Sequence, residues 1–196
     1  MRRKSSRNFA LLAALVVGTA CLIHGGWIHA KALLAQKLIG AAWQRSQAGE
    51  QDVRTWCWAD TRPLAKLTFG RGSGELIVLE GSSGRNLAFG PVHDPASVLP
   101  GKPGNGVIAG HRATHFRVLK ELKSGDPVHV ELPDGTQLSF IVMDLRVADS
   151  RQARIVLDAQ RPRLTLVTCY PFDAMDAHTP LRYVVTAELS STTVRR

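Results

Sequence analysis

The chain opens on an unbroken apolar run. Residues 9–23, FALLAALVVGTACLI, carry no charge. With His24, Gly25, Gly26, Trp27 and Ile28 the segment reaches about twenty residues, the length a helix needs to cross a bilayer. Arg2, Arg3, Lys4 and Arg7 precede it, and this basic flank predicts the N-terminus in the cytoplasm and the rest outside, with Trp27 as an interfacial anchor. Ala30-Lys31-Ala32 resembles an A-x-A cleavage site, so a removed signal peptide is the competing reading. Its late position, after Trp27 and two histidines, favours an uncleaved signal-anchor. Both readings export the domain. A lipoprotein anchored through Cys21 is disfavoured, because Gly18-Thr19-Ala20 lacks the usual large apolar residue three positions before the cysteine.

Beyond the run the period changes to that of an amphipathic helix. Over 29–47, Leu33, Leu34, Leu38, Ala41 and Ala42 recur at helical spacing between Lys31, Gln36, Lys37, Gln44 and Arg45, which predicts a stalk. SQAGEQD (46–52) reads as a linker. From about residue 53 short alternating segments take over. LAKLTF (64–69) and ELIVLE (75–80) flank the turn GRGSG. PVHVEL (127–132) puts Val128, Val130 and Leu132 on one face and His129 and Glu131 on the other. Pro133-Asp134-Gly135 then turns the chain into TQLSFIVMDLRV (136–147), a hairpin. LTLVTC (164–169) and LRYVVTAEL (181–189) add two strands. Many short strands with one or two helical connections predict a mainly β closed barrel of about eight strands with short helices, behind an N-terminal transmembrane helix. The expected divisions are 1–28 (basic tail and anchor), 29–52 (stalk and linker), 53–190 (catalytic domain) and 191–196 (a loose polar tail).

Composition alters this picture little. The 196 residues carry a formal net charge of +9, which raises nucleic-acid binding as a possibility. The basic residues are scattered, with no aromatic-interleaved stripe and no DNA-binding motif, so an anionic membrane surface is the better partner for that charge. Three cysteines, Cys21, Cys57 and Cys169, are too few for a disulfide-built scaffold, although a Cys57–Cys169 bridge stays open. No C-x-x-C or paired Cys/His spacing suggests structural zinc.

Three residues stand where chemistry could occur. Cys169 ends an apolar strand, and Pro171 stops regular pairing just beyond it. A free cysteine is more often a small buried hydrophobe than a nucleophile. A nucleophilic one needs a base or cationic neighbour, and His111, closing the run VIAG (107–110), is a candidate. Alone, a loop histidine is usually just solvated. His111 and His115 lie four apart, but the zinc-protease pattern needs Glu after the first histidine, and Arg112 stands there. Arg182 opens the last long strand; if it faces the same pocket, its guanidinium supplies fixed donors to a developing oxyanion.

Jointly these positions carry a resemblance. TLVTC (165–169) matches the T-L-x-T-C signature of sortases, with a histidine closing a strand about sixty residues upstream and an arginine opening the strand after the cysteine. WCWADTRP (56–63) is similar to the W-x-W-x-D-T-x-P opening of the Gram-negative (proteobacterial) sortase group. LAFGPVH (87–93), PGKPGNGVIAGHR (100–112) and Thr114-His115-Phe116 resemble that group too. The likeness covers roughly 53–188. One departure is Ala113, where the group is expected to carry an acidic residue after His-Arg.

The resemblance implies a membrane-anchored cysteine transpeptidase with a sortase-like barrel. Cys169 would be the nucleophile, His111 the general acid and base, and Arg182 the oxyanion donor. Thr168 would shape the substrate pocket and His115 line its entrance. No cofactor and no metal are implied. The implied partners are a protein bearing an LPxTG-like C-terminal sorting signal, an amine acceptor and the membrane, with the domain facing the periplasm or cell exterior. Two alternatives remain. One is an L,D-transpeptidase, disfavoured because Val167-Thr168 replaces the His-Gly expected before the cysteine. The other is a sortase-like binding module without turnover.

Overall fold

The computed structural model describes residues 2–70, 73–81, 83–158, 160–174 and 179–194. One helix, α1 (Arg2–Gln47), opens the chain. Its stretch Leu12–Gln47 is long and apolar enough to cross a membrane. Two compact units divide the chain, Met1–Leu38 and Ile39–Arg196. The last turns of α1 thus belong to the second unit, where Ile39, Ala42 and Trp43 are buried. Ile39 packs with Leu79 and Val92, so the expected stalk is, in that part, a core element of the domain.

The second unit is a barrel of eight strands: β1 (Pro63–Phe69), β2 (Ser73–Glu80), β3 (Val92–His93), β4 (Asn105–Ala109), β5 (Pro127–Glu131), β6 (Gln137–Asp149), β7 (Arg163–Cys169) and β8 (Leu181–Thr193). They close in the order β1-β2-β3-β4-β7-β8-β6-β5. A short helix α2 (Gly84–Leu87) links β2 to β3, and a 3-10 turn (Arg117–Glu121) lies between β4 and β5. All neighbours are antiparallel except β2–β3 and β4–β7. Strands β1, β4, β6 and β7 therefore run one way and β2, β3, β5 and β8 the other. The end holding the carboxyl termini of β4 and β7 is called the upper end below.

Alternation decides what fills the barrel. In β1, Ala65, Leu67 and Phe69 point inward, and in β6 Leu138, Phe140 and Val142 do the same. Phe116, Leu119, Leu164, Leu166 and Val185 join them in one core. Each fully buried large apolar side chain stabilises the fold by about 1.5–3 kcal/mol.

The β5–β6 hairpin turns where expected. Gly135 adopts φ 83°, the left-handed region that favours glycine, and the Asp134 carboxylate accepts from the Thr136 N–H at 2.9 Å. Of the GRGSG turn, Arg71 and Gly72 lie outside the described residues.

Two expectations change. Ser191–Thr193 are not a loose tail. They continue β8, with Thr192 and Thr193 opposite Leu138 and Gln137 of β6. A polar composition does not preclude a strand when a long partner offers its ladder. Arg195 and Arg196 lie outside the described residues. Glu131 shares the outward face of β5 with exposed His129, yet it is buried. Gln47 of α1 covers it and donates at 2.7 Å, and Lys66 of β1 pairs with it at 2.7 Å.

Candidate active site

The parallel pairing of β4 with β7 sets the site. Asn105 lies opposite Arg163 and Ala109 opposite Val167. The pairing stops at Ala109 and Val167, so His111 and Cys169 each follow two residues beyond the last pair, at the same end of two neighbouring strands. Two further bonds hold this end together: the Gly110 N–H donates to the Val167 carbonyl at 3.1 Å, and the Thr168 hydroxyl donates to the Gly110 carbonyl at 2.8 Å. On the other side of β7, Cys169 lies directly opposite Arg182 of β8. Opposed residues of an antiparallel pair share a face. Three adjacent strands thus bring His111, Cys169 and Arg182 to the upper rim of the barrel.

Local sequence explains each placement. Thr168 is buried and points into the barrel; alternation turns the next side chain, Cys169, to the opposite face, where it is partly exposed. Gly110 lies under the Phe116 ring, and a Cβ there would come within 2.8 Å of that ring. The missing side chain lets the chain fold back after β4. The turn is closed by the Phe116 N–H donating to the His111 carbonyl at 3.0 Å, which leaves the His111 side chain exposed. At the start of β8, Arg182 Nη1 donates to the carbonyls of Thr179 and Leu181 at 2.7 and 2.9 Å. Those bonds fix the guanidinium and leave its Nε and Nη2 donors outside them.

The two rim loops are fastened to each other. Arg112 Nη2 donates to the Ala174 carbonyl at 2.9 Å, joining the loop after His111 to the loop after Cys169. Lys120 and Asp173 add an ion pair at 2.9 Å. The hydrogen bond and charge of Lys120, with the Arg117 charge behind them, hold the Asp173 carboxyl below its ordinary range. His115 is partly buried beside His111; burial first, and then the His111 charge, push its imidazole below the ordinary value. His115 therefore favours the neutral form when His111 is charged. Tyr170, Phe172 and Tyr183 form an aromatic cluster at this end, with Phe172 edge-on to Tyr183 at 5.1 Å. Burial, followed by the neighbouring Tyr170, raises the Tyr183 phenol.

All five residues singled out from sequence thus fall at the upper end. Thr168 lies inside the barrel, where its hydroxyl is bonded to the Gly110 carbonyl. The bridge between Cys57 and Cys169 that sequence left open is absent, for both thiols are free. Among the described residues no group of three or more His, Cys, Asp or Glu is placed to hold a metal ion. The sequence marks Arg112 only as the residue standing where a zinc protease needs Glu and as part of a motif; its role as a loop clasp has no local signal, because its acceptor is a backbone carbonyl far along the chain. The aromatic cluster did leave a trace, in Tyr170 and Phe172 directly after Cys169.

Comparison with known proteins bears on this arrangement. A family model described as Sortase domain matches residues 71–190. Sortase D of Bacillus subtilis (strain 168) is 32% identical over 112 residues, which is 57% of this chain and 56% of that protein. The chain therefore matches little more than half the length of that relative. Sortase A of Listeria monocytogenes is similar with a TM-score of 0.60 at 22% identity, covering 68% of this chain and 91% of that one. Sortase C-3 of Streptococcus pneumoniae gives 0.61 at 20% identity, covering 84% and 86%. At such identities the two structures speak for the fold alone.

Proposed function

The chain belongs to the sortase family, and from that premise we propose that it is a membrane-anchored cysteine transpeptidase with Cys169 as nucleophile. The observation that supports this reading is the pairing of Cys169 with Arg182 across β7 and β8, with His111 just past the end of β4, the strand on the other side of β7. The Cys169 thiolate attacks the backbone carbonyl of an LPxTG-like C-terminal sorting signal. The tetrahedral oxyanion takes hydrogen bonds from Arg182 through donors not used on Thr179 and Leu181. His111, as imidazolium, protonates the leaving amine, and a thioacyl enzyme remains. The neutral imidazole then takes a proton from an incoming amine, which attacks the thioester and regenerates the thiol. Acid and base roles on the same pair give a rate that is bell-shaped in pH.

Ala113 offers no carboxylate next to Arg112. Orientation of the His111 loop falls instead to the Phe116 bond, the Thr168–Gly110 bond and the Arg112–Ala174 clasp. Residues 1–28 serve as basic tail and signal-anchor, and 53–190 as the catalytic domain. The motifs that resemble the Gram-negative group support a reading in which the domain faces the periplasm from the inner membrane. Anchoring confines enzyme and membrane-bound substrate to one surface and raises their effective concentration.

The test uses the full chain in detergent with an internally quenched LPxTG-type peptide and an amine acceptor, products being read by mass spectrometry. Cleavage between Thr and Gly with transfer to the amine is expected, and Cys169→Ala abolishes it. Turnover that survives Cys169→Ala contradicts the assignment.

A further inference from the structure

Away from the Cys169 rim, where the segment before β1 meets α2, the barrel carries a second cleft. It measures about 640 Å³, and Trp56, Trp58, Asp60, Arg85, Asn86 and Phe89 are among its walls. That volume lies within the roughly 300–1,000 Å³ usual for small-ligand sites. It shares none of these residues with the transpeptidase site. Its back wall is fixed, since Trp56 packs edge-on against Phe89 with ring centroids 5.1 Å apart. Its front wall is not packed at all: the Trp58 indole is 78% exposed. An indole in water forgoes the burial that makes aromatics the main contributors to cores and interfaces.

A second observation makes this more than a stray surface tryptophan. Asp60 and Arg85 line the same cleft and are exposed. Among the described residues neither side chain has a hydrogen bond or ion pair. The neighbouring carboxylates behave differently: Asp52 and Glu80 are both bound to Arg62. The cleft thus offers a flat apolar indole face, a carboxylate that only accepts and a guanidinium that only donates.

We infer that this cleft binds an oligosaccharide. A pyranose ring presents an apolar C–H face to an indole, and its vicinal hydroxyls both donate, here to Asp60, and accept, here from Arg85. Other ligand classes fit less well. An added peptide strand needs a sheet edge, and Leu79 and Glu80, the end of β2 that adjoins the cleft, already pair with β3. Phosphates and anionic headgroups would meet Asp60 beside the single cation Arg85. The inference is independent of the transpeptidase reading and would dock the domain on a glycan polymer.

Calorimetric titration tests it, using the full chain in a detergent without a sugar headgroup and a tetramer of β-1,4-linked N-acetylglucosamine as probe. Saturable binding is expected, weakened about tenfold or more by Trp58→Ala. Asp60→Asn and Arg85→Gln should weaken it as well, while Cys169→Ala leaves it unchanged. These side chains are exposed, and unchanged circular dichroism of the variants confirms that loss of binding is not loss of fold. Absence of saturable heat with the tetramer, equal binding by wild type and Trp58→Ala, or a Trp58 response confined to anionic vesicles each overturns it. A protein that binds the tetramer but transfers no peptide would sink the transpeptidase reading and leave the cleft standing.

Discussion

The two ends of the barrel are built on opposite rules. At the lower end, polar side chains, mostly of the strands themselves, bond to one another. Glu131 is buried between Lys66 and Gln47, the Thr165 hydroxyl donates to the Asn105 side chain at 2.9 Å out of contact with water, and Arg163 pairs with Glu188 at 2.7 Å. Burial works against the charge on Glu131, but the hydrogen bond and charge of Lys66, with bonds from Gln137 and Gln47, outweigh it and hold the carboxyl below its ordinary range. At the upper end, fixed bonds run mostly to backbone carbonyls: Thr168 to Gly110, Arg112 to Ala174, Arg182 to Thr179. There the side chains clamp the loops and leave the His111 imidazole and Cys169 thiol turned toward the rim. The difference teaches where each kind of substitution will register. Changes below should appear in stability with turnover kept, and changes above in turnover with stability largely kept.

The largest effect should come at the upper end. Cys169→Ala should lower transpeptidation by at least about 10,000-fold with little change in melting temperature. Arg182→Ala should follow, with kcat down about 100-fold or more, as expected when a donor to the oxyanion is removed. Thr168→Val sits across the divide. It leaves the buried Gly110 carbonyl without its donor, so it should cost about 1–3 kcal/mol of stability and about tenfold in kcat through misplacement of His111 against Cys169. A kcat unchanged in this variant would remove the clamp from the account.

Glu131→Ala should do the reverse. It strands Lys66 in a half-closed site and should cost about 2–3 kcal/mol, short of the full figure for a broken buried pair because Lys66 keeps Glu75. Turnover of the folded fraction should stay close to wild type. The pH dependence has a definite sign. The folded Glu131 carboxyl lies below an unfolded value of about 4.3. Its contribution is therefore complete above that pH and is lost as pH falls through the folded value. Lys66 is raised, burial notwithstanding, by its bonds to Glu131 and Glu75. Its share is complete below about pH 10.4 and is lost as pH rises through the folded value. Denaturant midpoints should fall more steeply between pH 5 and 3 for wild type than for Glu131→Gln. Parallel curves would detach the ion pair from the stability of the lower end.

How much of this was legible in the sequence follows the same division. The strands of the core could be read because their inward residues alternate, as in Leu138, Phe140 and Val142, and the hairpin could be read because Pro133-Asp134-Gly135 carries its own turn chemistry. The candidate site residues could be singled out because Cys169, His111 and Arg182 stand at strand ends in a pattern that resembles a family's. What stayed hidden depends on partners distant in the chain. Glu131 alternates like a solvated residue, but Gln47 of α1 and Lys66 of β1 close on it. Ser191–Thr193 are polar and were expected to be loose, but β6 is long enough to pair with them. Neither the Arg112 clasp nor the parallel seating of β4 beside β7 leaves any local mark, because both are set by how the barrel closes.

The central claim is that one thiol of three, held opposite Arg182 and at the same rim as His111, forms the acyl enzyme. Intact-protein mass spectrometry tests it directly. The full chain is incubated with an LPxTG-type peptide without an acceptor amine, quenched in acid and digested for site mapping. The account predicts one thioacyl adduct, on Cys169, with Cys21 and Cys57 unmodified and the adduct released when an amine is added. An adduct on Cys57, or amine transfer with Cys169 unacylated throughout, would contradict it.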